Sequence, residues 1–130
     1  MTENTYKLNF DYNIEENVKR VQDEIAEACV KYGRNPEEVN LMGVSKTQDV
    51  PAIERAYNAG IRLFGENRVQ ELVQKGDFFI SHNVPCHIIG SLQTNKVKYL
   101  PELTDTIQSI DSLKLAVEIE KQYGKAGKHC

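Results

Sequence analysis

Apolar residues recur at spacings of three and four over the first third of the chain. Ile14, Val18, Val21, Ile25, Cys29 and Tyr32 fall on one stripe, which predicts a helix from about Asn13 to Tyr32. Asn13 with Glu16 three residues on has the form of a capping box, and Gly33 supplies a stop. Asn35-Pro36-Glu37-Glu38 reads as a short capped turn. The pattern then changes period. Leu41-Met42-Gly43-Val44-Ser45-Lys46 is a short, largely apolar run that ends in a single lysine and gives way to Thr47-Gln48-Asp49-Val50-Pro51. Such a run predicts a strand, Val39 to Lys46, buried on both faces as in a parallel sheet.

From there the chain repeats one unit. Asp49 caps a helix carrying Ile53, Ala56 and Tyr57, closed by Asn58-Ala59-Gly60. Ile61 to Phe64 is a second strand, and Gly65-Glu66-Asn67 turns into a helix with Val69, Leu72 and Val73 that ends near Gly76. Cys86 to Ile89 is a third strand, ended by Gly90, and Gln93 to Leu100 is a short helix stopped by Pro101. Thr106 to Ile110 is a fourth strand, after which Asp111 caps a helix with Leu113, Ala116, Val117 and Ile119 that ends at Gly124.

One helix and four β-α units without an Asn-Gly hairpin predict an α/β fold, a parallel sheet with helices outside it. A closed TIM-type barrel of eight such units takes roughly 200–250 residues, so four make about half of one. The expectation is a single domain over residues 1–130 holding half a barrel. Residues 125–130 read as a polar, disordered tail where the rhythm calls for another strand. Open edges on a half barrel lead us to expect self-association.

Composition narrows the function. Of 130 residues 40% are hydrophobic and 27% charged, the make-up of a soluble globular domain. A net charge of −3 with no long basic block gives no electrostatic reason to expect nucleic acid. Cys29, Cys86 and Cys130 form no CxxC pair, and Met1 to Asn9 has no apolar signal core, so a reducing, cytoplasmic setting is expected. No apolar run reaches the roughly 18 residues of a membrane span. His82 and His129 have no second ligand at metal spacing, and no GxGxxG, GxxxxGK[ST] or GxSxG motif occurs.

Three residues remain as candidates for chemistry. Lys46 stands at the carboxyl end of the first strand, where α/β folds bind ligands. A lysine attacks only as the free amine, scarce at neutral pH for a group that ordinarily titrates near 10.4, and burial at a strand end is the usual way to favour it. The plainer alternative is a lysine snorkelling out of the sheet into water. Asn67, in Gly65-Glu66-Asn67-Arg68, can hydrogen-bond a flat ligand, whereas Glu66 and Arg68 read equally well as a surface pair. His87 lies within the third strand and is either a satisfied core histidine or an acid-base group.

Gly43-Val44-Ser45-Lys46-Thr47, the run from Ala59 through Gly65-Glu66-Asn67-Arg68 to Glu71, and His87-Ile88-Ile89-Gly90-Ser91-Leu92-Gln93-Thr94-Asn95-Lys96 together closely resemble the pyridoxal-phosphate homeostasis proteins, and Ser109-Ile110-Asp111-Ser112-Leu113 fits that family's next block. The resemblance covers Asn13 to about Gly124 and matches the N-terminal half of the family's barrel. It implies a fold type III barrel, similar to the N-terminal barrel of alanine racemase, that binds pyridoxal 5′-phosphate (PLP) for cofactor storage, buffering or delivery, without a well-established enzymatic activity. It implies that Lys46 forms a Schiff base with PLP, that Asn67 lines the cofactor ring, and that His87 belongs to the strand beneath the ring. The family usually has an aromatic residue just before that histidine, and here stands Cys86. Its phosphate-holding glycine-rich segment belongs to the second half of the barrel and has no counterpart in these 130 residues. The alternative is a Schiff-base enzyme, racemase-like with PLP or aldolase-like without it.

Overall fold

Asn13 opens helix α1 (Ile14–Tyr32) by accepting the Glu16 backbone N–H on Oδ1 at 3.1 Å. In this computed structural model, residues 13–130 are described, and the polar opening Met1 to Asn9 lies outside them. Gly33 ends α1 in the left-handed region, at φ 66°, and the Arg34 N–H reaches back to the Cys29 carbonyl at 2.8 Å. The stripe runs from Ile14 to the buried Cys29 but stops there, because Tyr32 is exposed and carries Lys31 over its ring. Arg55 grips Glu15 through two hydrogen bonds of 3.0 and 2.8 Å, tying α1 to helix α2 (Val50–Asn58). Asp49 caps α2 as expected, accepting the Ala52 N–H at 3.0 Å.

The sheet has three parallel strands in sequential order, β1 (Gly43–Val44), β2 (Phe64–Glu66) and β3 (Cys86–Ile88). β1 and β3 are shorter than the pattern predicts, and β2 is shifted: only Phe64 of the expected Ile61 to Phe64 lies in it, and Gly65 and Glu66, expected in the turn, continue it. β1 ends where Thr47 turns the backbone to φ 62°. The β2–β3 ladder begins where the Phe64 N–H meets the Pro85 carbonyl, since proline has no N–H to extend the pairing backwards. The expected strand Thr106 to Ile110 is reduced to one parallel bridge, Ile107 to Ile88, because the Thr106 N–H is taken by the Thr104 hydroxyl at 3.2 Å.

Helix α3 (Val69–Ser81) runs five residues past Gly76, where the sequence predicts its end. Gly76 is there because Leu103 packs against it, so that a Cβ would lie 2.9 Å from Leu103 Cδ2. Its continuation brings Phe78 and Phe79 into the core, the Phe79 ring 5.6 Å from that of Phe64. The short helix expected from Gln93 to Leu100 is a 3-10 helix over Thr94–Tyr99. Helix α4 (Leu113–Lys125) is capped by Ser112, whose Oγ accepts the Leu115 N–H at 3.1 Å, and not by Asp111. It also passes Gly124. The stop is Gly127 at φ 69°, with the Lys128 N–H on the Tyr123 carbonyl at 2.9 Å. Residues 125–130, expected as a tail, therefore start with the last residue of α4 and its capping turn, and Lys128 pairs with Glu102 at 2.8 Å.

Register assigns the two faces of the sheet. Ser45, Phe64, Glu66, Cys86 and Ile88 lie on the face buried with α3, and Val44, Gly65 and His87 share the other. That second face is only partly open: Val44 is 49% exposed, while the Met42 and Ile89 side chains crowd Gly65. Among the described residues no helix is long and apolar enough to cross a membrane.

Candidate functional site

Lys46 is exposed, on a turn just past the carboxyl end of β1, so the burial expected for it is not found. Lys46 and Thr47 are the two central residues of a turn closed by the Gln48 N–H on the Ser45 carbonyl at 3.1 Å. Thr47 is β-branched and left-handed, a conformation such residues rarely adopt. Asn67 follows the last residue of β2 and is half-buried. Its backbone is pressed against Gly90, where a Cβ would lie 2.8 Å from the Asn67 carbonyl oxygen and 2.9 Å from its Cα. Glycine is required at that close approach. His87, half-buried within β3, accepts a hydrogen bond on Nδ1 from the Gln108 side-chain nitrogen at 2.9 Å. Lys46 and Asn67 thus lie just past the carboxyl ends of β1 and β2, whereas His87 sits within β3, level with Val44 and Gly65, and among the described residues no hydrogen bond links one to another.

Beneath Lys46 lies a cluster that the sequence reading missed. Glu66 is 0% exposed, and it is not the surface partner of Arg68 but the buried partner of Lys75, at 2.9 Å. Lys75, itself 8% exposed, also donates to the Ser45 carbonyl at 2.8 Å and to Glu71 Oε2 at 3.1 Å. Ser45 Oγ donates to Glu66 Oε2 at 2.5 Å, and the Thr47 N–H donates to Glu71 Oε2 at 2.9 Å. The Glu71 carboxyl is held below its ordinary value, first by the Thr47 N–H and then by Lys75. Glu66 Oε1 is buried with no partner. A signal for the cluster existed: Lys75 falls among Val69, Leu72 and Phe79 on the apolar stripe of α3, four residues after Glu71.

Relatives of known name share these blocks. The chain is 42% identical over 112 residues, 85% of its length, to the pyridoxal phosphate homeostasis protein of Haemophilus influenzae. By sequence, the chain is similar to the pyridoxal phosphate homeostasis proteins over about half of their length. It spans about half the length of the curated relatives it matches, 47% for that of H. influenzae. Among solved structures, a crystal structure of an unknown protein from Bifidobacterium adolescentis is similar with a TM-score of 0.79 at 34% identity, covering 88% of this chain and 51% of that one. PipY from Synechococcus elongatus, solved with PLP bound, matches at a TM-score of 0.66 and 39% identity, covering 79% of this chain and 50% of its own. No family model matches the chain. Cys86, standing where these homeostasis proteins were expected to have an aromatic residue, is buried in the core, and its thiol is pushed up to about 12 by burial and then by the Glu66 carboxylate.

Proposed function

We propose that the chain binds PLP as part of a cofactor-homeostasis protein, with Lys46 as the residue that forms a Schiff base to the cofactor aldehyde. The observation that carries this reading is an exposed amine at the carboxyl edge of a parallel sheet, in a chain related to PLP homeostasis proteins. When bound, PLP supplies an aldehyde whose oxygen leaves as water when the amine nitrogen bonds to its carbon. The residues present fit that chemistry: Lys46 is open to a small ligand, Asn67 is fixed by its contact with Gly90, and the His87 ring is oriented by Gln108. In this reading Asn67 lines the ring from the end of β2 and His87 supports it from β3.

The same reading makes the three strands the start of a TIM-type, fold type III barrel. It is supported by sequential parallel order, by the partly open face opposite α3, and by neighbours of which this chain covers about half. A PLP titration followed by visible absorption tests the binding. A band that saturates with PLP in the chain and is absent from Lys46→Ala is expected; an equal band in both would place the amine elsewhere.

A further inference from the structure

Three backbone groups flanking Lys46 are held by residues outside the turn. The Ser45 N–H donates to the Gly65 carbonyl at 2.9 Å, the Ser45 carbonyl accepts from Lys75 Nζ, and the Thr47 N–H donates to Glu71 Oε2. Lys75 and Glu71 sit four residues apart on α3, so one helical turn reaches the peptide groups on both sides of Lys46. Stability alone gives little reason for such a device. A buried ion pair is commonly replaceable by apolar residues without loss, a β-branched residue at positive φ is strained, and Glu66 Oε1 is left without a partner. These unfavourable features converge on a two-residue turn whose tip is the exposed lysine.

We propose that Glu71 and Lys75 are positioning residues for Lys46: anchored by Glu66, they clamp the flanking peptide groups and hold the amine at the rim of the sheet in one presentation. This rests on the reading of Lys46 as the PLP-reactive amine. The clamp acts on the main chain, leaving the side chain free to meet a ligand. Glu71 carries the test because it is the least buried member of the cluster and its removal leaves the Lys75–Glu66 pair intact.

Two readouts are taken on the whole chain, unliganded amide exchange at Thr47 by NMR and the rate of PLP labelling of Lys46, fixed by borohydride and measured by peptide mass. Labelling of Lys31, exposed on α1, is the internal reference. Glu71→Ala should speed Thr47 exchange and slow Lys46 labelling relative to Lys31, each by about tenfold, the scale of one lost hydrogen bond to a charged acceptor. Glu71→Gln, which keeps an oxygen for the Thr47 N–H, should restore both. Lys46 labelled at the wild-type rate in Glu71→Ala, or unchanged Thr47 exchange, would overturn the clamp while leaving Lys46 as the amine. If wild-type Lys46 takes no label while Thr47 exchange still responds to Glu71→Ala, the cofactor reading fails, and the positioning role fails with it.

Discussion

Lys75 occupies a place on α3 where an apolar residue would complete the stripe, and the charge survives there because Glu66, Glu71 and the Ser45 carbonyl surround it. Removing only one member of such a pair is costly. Lys75→Met should destabilise the fold by about 3–5 kcal/mol in urea unfolding, since the fully buried Glu66 would lose its counter-charge, and Lys75→Met with Glu66→Gln should recover most of that loss. Glu71 adds a pH dependence whose sign follows from its depressed carboxyl. Its contribution is complete above the ordinary carboxylate value of 4.5 and is lost as pH falls through the lower folded value. Acid unfolding curves of wild type and Glu71→Gln should therefore converge below that value, and curves that stay parallel would show that Glu71 is not the group involved. The positions of Lys46 and Asn67 after strands and of His87 within one could be read from the sequence because a glycine or turn stands near each. Glu66 could not be placed with certainty, because its burial depends on a partner nine residues away whose side chain points back across a helical turn.

Helices were legible wherever their own residues decide them, and misjudged wherever a neighbouring element does. The caps Asn13 and Asp49 act locally and stand where the sequence puts them. Gly76 does not end α3, because the side chain requiring a glycine there belongs to Leu103. At the start of α4 the sequence reading takes Asp111 as the cap, and geometry selects its neighbour Ser112. Ser112→Ala should cost about 1 kcal/mol in thermal or urea unfolding and Asp111→Ala clearly less. Gly90 shows the same dependence on a neighbour between strands. Gly90→Ala drives a methyl into the Asn67 backbone and should destabilise by about 1–3 kcal/mol, with the Asn67 amide resonance shifting most. A neutral Gly90→Ala would mean that the two turns are not in contact. β1 and β3 were located but overlong, β2 was placed too early and the fourth strand is a single bridge, since periodicity marks which residues are apolar and says nothing of which backbone groups find a partner.

At the scale of the whole molecule, burial is one-sided. The core of Phe64, Leu72, Phe79, Cys86 and Ile88 lies between sheet and α3, while Val44 and Ile110 are about half exposed and Leu113 on α4 is 80% exposed. Exposed apolar surface and unpaired strand edges favour association, so sedimentation at micromolar concentration should show species larger than 14.8 kDa; a single compact monomer would contradict that expectation. The alternation of strand and helix was enough to predict a parallel sheet, and the structure orders its strands sequentially. The chemistry proposed for it depends on Lys46, and reduction of the chain with borohydride in the presence of PLP, followed by peptide mass mapping, tests this most directly. The account predicts the pyridoxyl mass on the peptide containing Lys46, in excess over the other lysines and absent from Lys46→Ala; label spread evenly over exposed lysines, or undiminished total label in Lys46→Ala, would contradict it.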